Sequence, residues 1–242
     1  AVAGFLPALP AGTGVVASNH ARGGMSMLRL MPKRLSEGQG HGIQYAGLLR
    51  AAVRTRQFCD AHARQMAQPV VSFIQGEAAL PDDPFRYADR LLSLQTALTE
   101  DLSRITGQHE QVPVFTDQTR IVFPPEQGLD GMEPPVAVAQ LRMALAHPGR
   151  VFCVGPKYFL DRRSTRKGRG DPVHLTAEAS RLLGEYHGRA IRQWLSGTPW
   201  LPLHIASYAR EGAEIQLCVA GGHGDLVLDT ESLRPTISSL HG

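Results

Sequence analysis

An aspartate three residues before a histidine, Asp171-Pro172-Val173-His174, stands directly before a helical-looking run at 177–195. These residue types at this spacing are a compact way to build the acid and base of a hydrolytic triad. The carboxylate fixes the imidazole tautomer and stabilises the imidazolium that forms when the base takes a proton from a nucleophile. The same stretch also suits a plain helix start, because Asp and Thr are good N-caps and Thr176, Glu178 and Glu185 complement the positive helix end. No nucleophile accompanies the pair, so the rest of the site must come from elsewhere in the chain.

Two other segments have the right chemistry. Val70-Val71-Ser72-Phe73-Ile74 is an apolar run of strand length that stops at Gln75-Gly76-Glu77. That places polar side chains and a permissive glycine at the end of a buried strand, where open α/β sheets bind ligands. A second apolar run, at 14–17, leads into Ser18-Asn19-His20-Ala21-Arg22-Gly23-Gly24-Met25-Ser26. Its glycine pair would let backbone N–H groups approach a substrate oxygen closely, as an oxyanion hole requires.

In this order the three motifs resemble the SGNH hydrolase superfamily, in particular its sialate-acetylesterase-like and carbohydrate-esterase members. The matching pieces are the Ser18 to Gly24 loop, Ile74-Gln75-Gly76-Glu77-Ala78, and Asp171 through Glu178, over roughly residues 5–195. The resemblance implies a flavodoxin-like three-layer α/β sandwich with a parallel sheet, and removal of acyl groups, acetyl first among them, from a carbohydrate-type substrate. It assigns His174 as the base and the Gly24 backbone and the Gln75 side chain as oxyanion donors, with Gly23 and Asn19 in the same substrate-binding loop. Glu77 would lie beneath the site. Some relatives use the matching glutamate as triad acid, so Asp171 and Glu77 compete for that role; the short reach from Asp171 favours it and leaves Glu77 open.

The nucleophile is where the sequence departs from the family. Family members open with a strand ending in a Gly-Gln-Ser or Gly-Asp-Ser turn, many tens of residues before the glycine loop. Residues 1–12 contain no serine. Either the chain is a piece of a longer protein, or Ser18, which directly follows the run at 14–17, takes the nucleophile's place. The competing functional class is a non-catalytic glycan-binding or scaffold protein derived from the same fold.

Composition constrains partners more than chemistry. With 242 residues, 43% hydrophobic and 19% charged, the chain can bury a full core, and a net charge of +3 does not call for nucleic acid. Five cations gather between Arg162 and Arg169 without an interleaved aromatic. That segment reads as a solvated loop, or as a flap that attracts anionic substrates, and lacks base-stacking groups. Cys59, Cys153 and Cys218 are odd in number and far apart, which excludes a disulfide framework and zinc spacing. No metal, cofactor or membrane association is expected, and localisation and oligomeric state stay unread. The apolar residues 1–9 lack a basic leader and are broken by Pro7, followed by Pro10.

The elements that must position these residues alternate. Strands are expected at 14–17, 70–74, 112–116 and 150–154, with helices at 44–68, 85–105, 135–146 and 177–195. Tyr87, Leu91, Leu94 and Leu98 recur at helical spacing and mark a core face. The long connection 118–133 is a candidate substrate-facing loop. After Gly197 the pattern changes to short strands at 203–208, 214–220 and 225–229 with Gly-rich turns, so residues 1–197 read as the α/β domain and 198–242 as a small β appendage.

Overall fold

The computed structural model describes residues 5, 7, 9–38, 40–66, 69–79, 84–119, 135–164, 170–222 and 225–227, with backbone alone at 79, 84–85, 135, 164 and 170–172. Most of the connection 118–133, the middle of the basic segment and the Asp171 side chain lie outside the described residues.

Three strands form a parallel sheet: β1 (Val71–Ser72), β2 (Val114–Gln118) and β3 (Val151–Pro156), in the order β1-β2-β3. Val71 stands opposite Val114, and Val114 opposite Val151. Parallel strands need long crossovers. These are supplied by α3 (Pro84–Thr106), between β1 and β2, and α4 (Pro135–Ala146), between β2 and β3; α1 (Met27–Leu30) and α2 (Ile43–Ala61) precede the sheet, and α5 (Ala177–Leu195) follows it.

Side chains alternate across the sheet, as the two-residue period of a strand requires. Val114, Val151 and Cys153 pack with Leu91, Leu94 and Leu98 of α3 and Val136 and Ala139 of α4. Phe115, Phe152 and Val154 face the opposite way, onto Ala190 and Ile191 of α5. The rings of Phe115 and Phe152 stack 4.7 Å apart, with Trp194 edge-on to Phe115. The row expected on α3 is core: Tyr87, Leu91, Leu94, Leu98 and Leu102 are all buried. Each such leucine contributes roughly 1.5–3 kcal/mol through area removed from water.

Helix α5 begins where the sequence placed it. The Thr176 hydroxyl accepts from the Ala179 N–H at 3.1 Å, and Glu178 sits in the first turn. The Asp171–His174 stretch before it is a strand: β5 (Gly170–Leu175) pairs antiparallel with β4 (Arg162–Ser164). Alternating Val173 and Leu175 favour extended backbone, and Arg163 Nε donates to the Leu175 carbonyl.

Other expectations are corrected. Residues 14–17 form no strand; Val15 packs on the Phe115 cluster while Val16 is exposed, and no ladder partner is present among the described residues. An apolar run becomes a strand only when its backbone groups are paired, and the glycines at 12 and 14 add to the entropy cost of fixing it. Strand 70–74 shrinks to β1, and helix 44–68 to α2, which ends at Ala61. At the C-terminus β6 (His204–Glu211) and β7 (Glu214–Ala220) form a hairpin across Gly212-Ala213, while 225–227 carry no strand and 228–229 lie outside the described residues. Trp200 ties the approach to this hairpin to the sheet by donating to the Cys153 carbonyl at 2.7 Å. Among the described residues no helix is long and apolar enough to cross a membrane.

Candidate functional site

Because β1, β2 and β3 are parallel, their carboxyl ends share one edge of the sheet. Gln75, Gly76 and Glu77 follow β1, Asp117 and Thr119 stand at the end of β2, and Lys157 follows β3. Gly76 has φ +155°, and a Cβ on it would come within 2.5 Å of Thr119 Cβ. Glycine here lets the turn after β1 press against the end of β2. Gln140 of α4 clamps the same two ends: its Oε1 accepts from the Thr119 N–H at 2.7 Å, and its Nε2 donates to the Gln75 carbonyl at 2.7 Å and to Tyr87 Oη at 3.1 Å. The Tyr87 hydroxyl donates to the same carbonyl at 3.2 Å.

A charged cluster sits in this frame. Lys157 Nζ lies 2.6 Å from Glu77 Oε1 and 2.9 Å from Asp117 Oδ2, with side-chain exposures of 6% for Lys157, 21% for Glu77 and 0% for Asp117. Burial disfavours the ammonium, but Asp117 and Glu77 outweigh that and hold the Lys157 pKa above its ordinary value. The contact to Asp117 is Coulombic more than a directed hydrogen bond, because neither Asp117 oxygen has a hydrogen-bond partner. Asp117 Oδ1 faces His187 Nε2 of α5 at 3.9 Å, beyond hydrogen-bond range. Both ring nitrogens of His187 and the hydroxyls of Thr116 and Thr119 are likewise buried without partners among the described residues. The ammonium occupies the space between the two carboxylates, and among the described residues no group of three metal-ligating side chains converges. The cluster can anchor Glu77, and it keeps polar capacity beneath the strand ends for water or a polar ligand.

The structure joins some of the sequence-predicted residues. Gln75 Nε2 donates to the Met25 carbonyl at 3.3 Å, which brings the oxyanion candidates Gln75 and the Gly23-Gly24 loop to one place. Gly24 has φ +69°, a turn conformation that suits glycine. Glu77 is engaged by Lys157, and no contact joins it to His174. His174 is exposed on β5, whose end is tied to the chain leaving β3 by the Thr176 N–H donating to the Asp161 carbonyl at 3.0 Å. Ser18 Oγ lies 3.0 Å from His20 Nε2, and Asn19 Oδ1 accepts from the Ala21 N–H at 2.9 Å. Both are exposed, so Ser18 has an imidazole neighbour, but it is His20.

The sequence reading assigned no functional role to Asp117, Gln140, Lys157 or His187. Signals existed: Thr116-Asp117-Gln118-Thr119 is a polar run ending an apolar strand, and His187 interrupts the buried face Leu183, Ala190 and Ile191 of α5. The chain matches no family model, no curated protein and no solved structure among known proteins.

Proposed function

We propose that this chain is a serine-type carboxylic-ester hydrolase of SGNH character that removes acyl groups, acetyl foremost, from a carbohydrate-type substrate. The observation that carries the reading is the bond from Gln75 Nε2 to the Met25 carbonyl. It joins, at the carboxyl edge of a parallel sheet, the two elements that would donate to an oxyanion. One N–H of the Gln75 amide is spent on Met25, which leaves the second for a substrate oxygen.

In this reading a serine attacks the ester carbonyl. His174 takes its proton and returns it to the leaving sugar hydroxyl, while Asp171 orients the imidazole. The tetrahedral oxygen is held by the Gly24 N–H and Gln75. The ion pair of Glu77 with Lys157 favours Asp171 over Glu77 as triad acid. The nucleophile is Ser18 or a serine outside this chain.

A second reading, a non-catalytic glycan-binding protein of the same fold, is favoured by one observation: the Ser18 hydroxyl pairs with His20 rather than His174. Hydrolysis of p-nitrophenyl acetate separates the two. Under the esterase reading His174→Ala lowers kcat/KM by at least about a hundredfold, the range for a lost general base, and Ser18→Ala decides whether Ser18 is the nucleophile. Absence of hydrolysis together with saturable binding of an acetylated oligosaccharide would establish the binding protein instead.

A further inference from the structure

A cleft of about 440 Å³ opens between residues 16–20 and helix α2, lined by Val16, His20, Gly47, Arg50, Arg54 and Thr55 among others. Three of these, Arg50, Arg54 and His20, carry nitrogen donors. Arg50 and Arg54 lie one helical turn apart on one face of α2 and have no hydrogen-bond or ion-pair partner among the described residues, whereas Arg56 on the same helix is paired to Asp60 at 2.8 Å and to the Thr106 carbonyl at 2.7 Å. The Thr55 hydroxyl is spent on the Ala51 carbonyl.

Gly47 explains how the groups converge. It stands inside a 19-residue helix, where glycine lowers helix stability. A Cβ at this position would meet His20 Nδ1 at 3.1 Å, with Arg50 Nη2 3.8 Å from the same point. The missing side chain thus makes the notch in which the imidazole seats, beside a guanidinium that has no counter-charge. Ser18 Oγ, 3.0 Å from His20 Nε2, holds the other side of the ring. When that hydroxyl donates, the ring N–H is carried on Nδ1, on the cleft side.

We propose that this cleft binds the phosphoryl group of a small phosphate monoester through Arg50, Arg54 and His20. A carboxylate presents two oxygens and a single charge, which one guanidinium fork satisfies. A phosphate monoester presents three terminal oxygens and close to two charges, which matches two forks and an imidazole approaching from different sides. Val16, 67% exposed at the rim, offers an apolar wall to the organic part of the ligand. The site uses none of Gln75, Gly24 or His174, and it meets the ester-hydrolysis reading only at Ser18, whose hydroxyl holds His20.

The test is titration of the whole chain with glycerol 3-phosphate, inorganic phosphate and acetate at matched ionic strength, followed by calorimetry and by the His20 imidazole NMR signals. The expected result is saturable binding of glycerol 3-phosphate that moves the His20 signals, weakened about tenfold in Arg50→Gln and in Arg54→Gln and lost in the double variant. Arg29→Gln, an exposed arginine outside the cleft, leaves it unchanged. Gly47→Ala, which favours the helix and so preserves folding, displaces the imidazole and weakens binding. Equal affinity for acetate would overturn the phosphate assignment, and so would binding of inorganic phosphate that the arginine variants leave intact. Absence of saturable binding in the millimolar range would overturn the site itself.

Discussion

Asp101 and Asp117 are both buried carboxylates near cations, and they differ in how completely they are satisfied. Asp101, on α3, accepts from Arg34 Nη1 at 2.9 Å and Tyr45 Oη at 2.8 Å on one oxygen, and from Arg104 Nη1 at 2.7 Å on the other. Burial works against its charge, but Tyr45, Arg34 and Arg104 outweigh it and hold its pKa below the ordinary carboxylate range, while burial and Asp101 push the Tyr45 phenol up. Asp117 faces Lys157 on one oxygen, and nothing bonds to the other. A carboxylate with both oxygens hydrogen-bonded is a staple between helices α2 and α3. One that, among the described residues, leaves Oδ1, both His187 nitrogens and the Thr116 hydroxyl unmet keeps polar capacity at the edge where open α/β sheets in general bind ligands.

The comparison breaks first at Lys157. Lys157→Met leaves Glu77 and Asp117 without their cation and is expected to cost about 3–5 kcal/mol, the range for removing one partner of a buried pair. Urea unfolding at neutral pH measures it; a loss below about 1 kcal/mol would mean that water already screens the cluster. The folded pKa of Lys157 is raised, so its contribution is complete below the unfolded value and disappears as pH rises through the folded one. The wild-type advantage over Lys157→Met should therefore persist throughout the neutral range.

Gly76→Ala probes the frame rather than the charge. Its Cβ would meet Thr119 Cβ at 2.5 Å, at a φ of +155° that other residues avoid, so a loss of about 1–3 kcal/mol is expected. Thr119→Gly in the same chain removes the clash and leaves the strain, and partial recovery in the double variant would assign the two shares. An undiminished stability in Gly76→Ala would show that the turn does not press on β2.

Asp101→Asn should cost about 1–2 kcal/mol, because Arg34 and Arg104 are largely solvated and recover hydration when the charge goes. The sign with pH is definite. A depressed folded pKa gives stability that is present above the unfolded value, about 3.9, and is lost as pH falls through the folded one. The gap between wild type and variant should be full at pH 7 and shrink below about pH 4, as thermal melts across that range would read.

What the sequence made legible follows from where periodicity alone decides structure. The row Tyr87, Leu91, Leu94 and Leu98, the Thr176 cap and the apolar runs of β2 and β3 were readable because each repeats a local rule, and they recover three parallel strands and their helices. Residues 14–17 were misread because an apolar run becomes a strand only with a partner, and pairing is not a local property. Gln75 and Glu77 were legible as polar residues ending a strand. Their partners were not, since Lys157 reaches Glu77 from 80 residues away and His187 approaches Asp117 from helix α5, far along the chain. The Ser18 hydroxyl illustrates the same limit: its type suggested a nucleophile, and only coordinates show which imidazole it meets.

The smallest expected effect tests the unsatisfied side of the comparison. His187 is 1% exposed yet makes no hydrogen bond through either ring nitrogen, and its contact with Asp117 is 3.9 Å long. Replacing a buried polar group that has no partner by an apolar one of similar volume removes a desolvation penalty and leaves packing largely intact. His187→Leu should therefore change unfolding free energy by less than about 1 kcal/mol in either direction. A loss above about 2 kcal/mol would show that His187 is bonded through buried water and belongs with Asp101 as a structural staple. If stability is unchanged while turnover of an acyl ester falls, His187 is a positioning residue that acts through Asp117 and Lys157 on Glu77 and the strand ends. In that case kcat should respond more than KM, because the proposed oxyanion donors, the Gly24 N–H and Gln75, are untouched while the geometry beneath them has shifted.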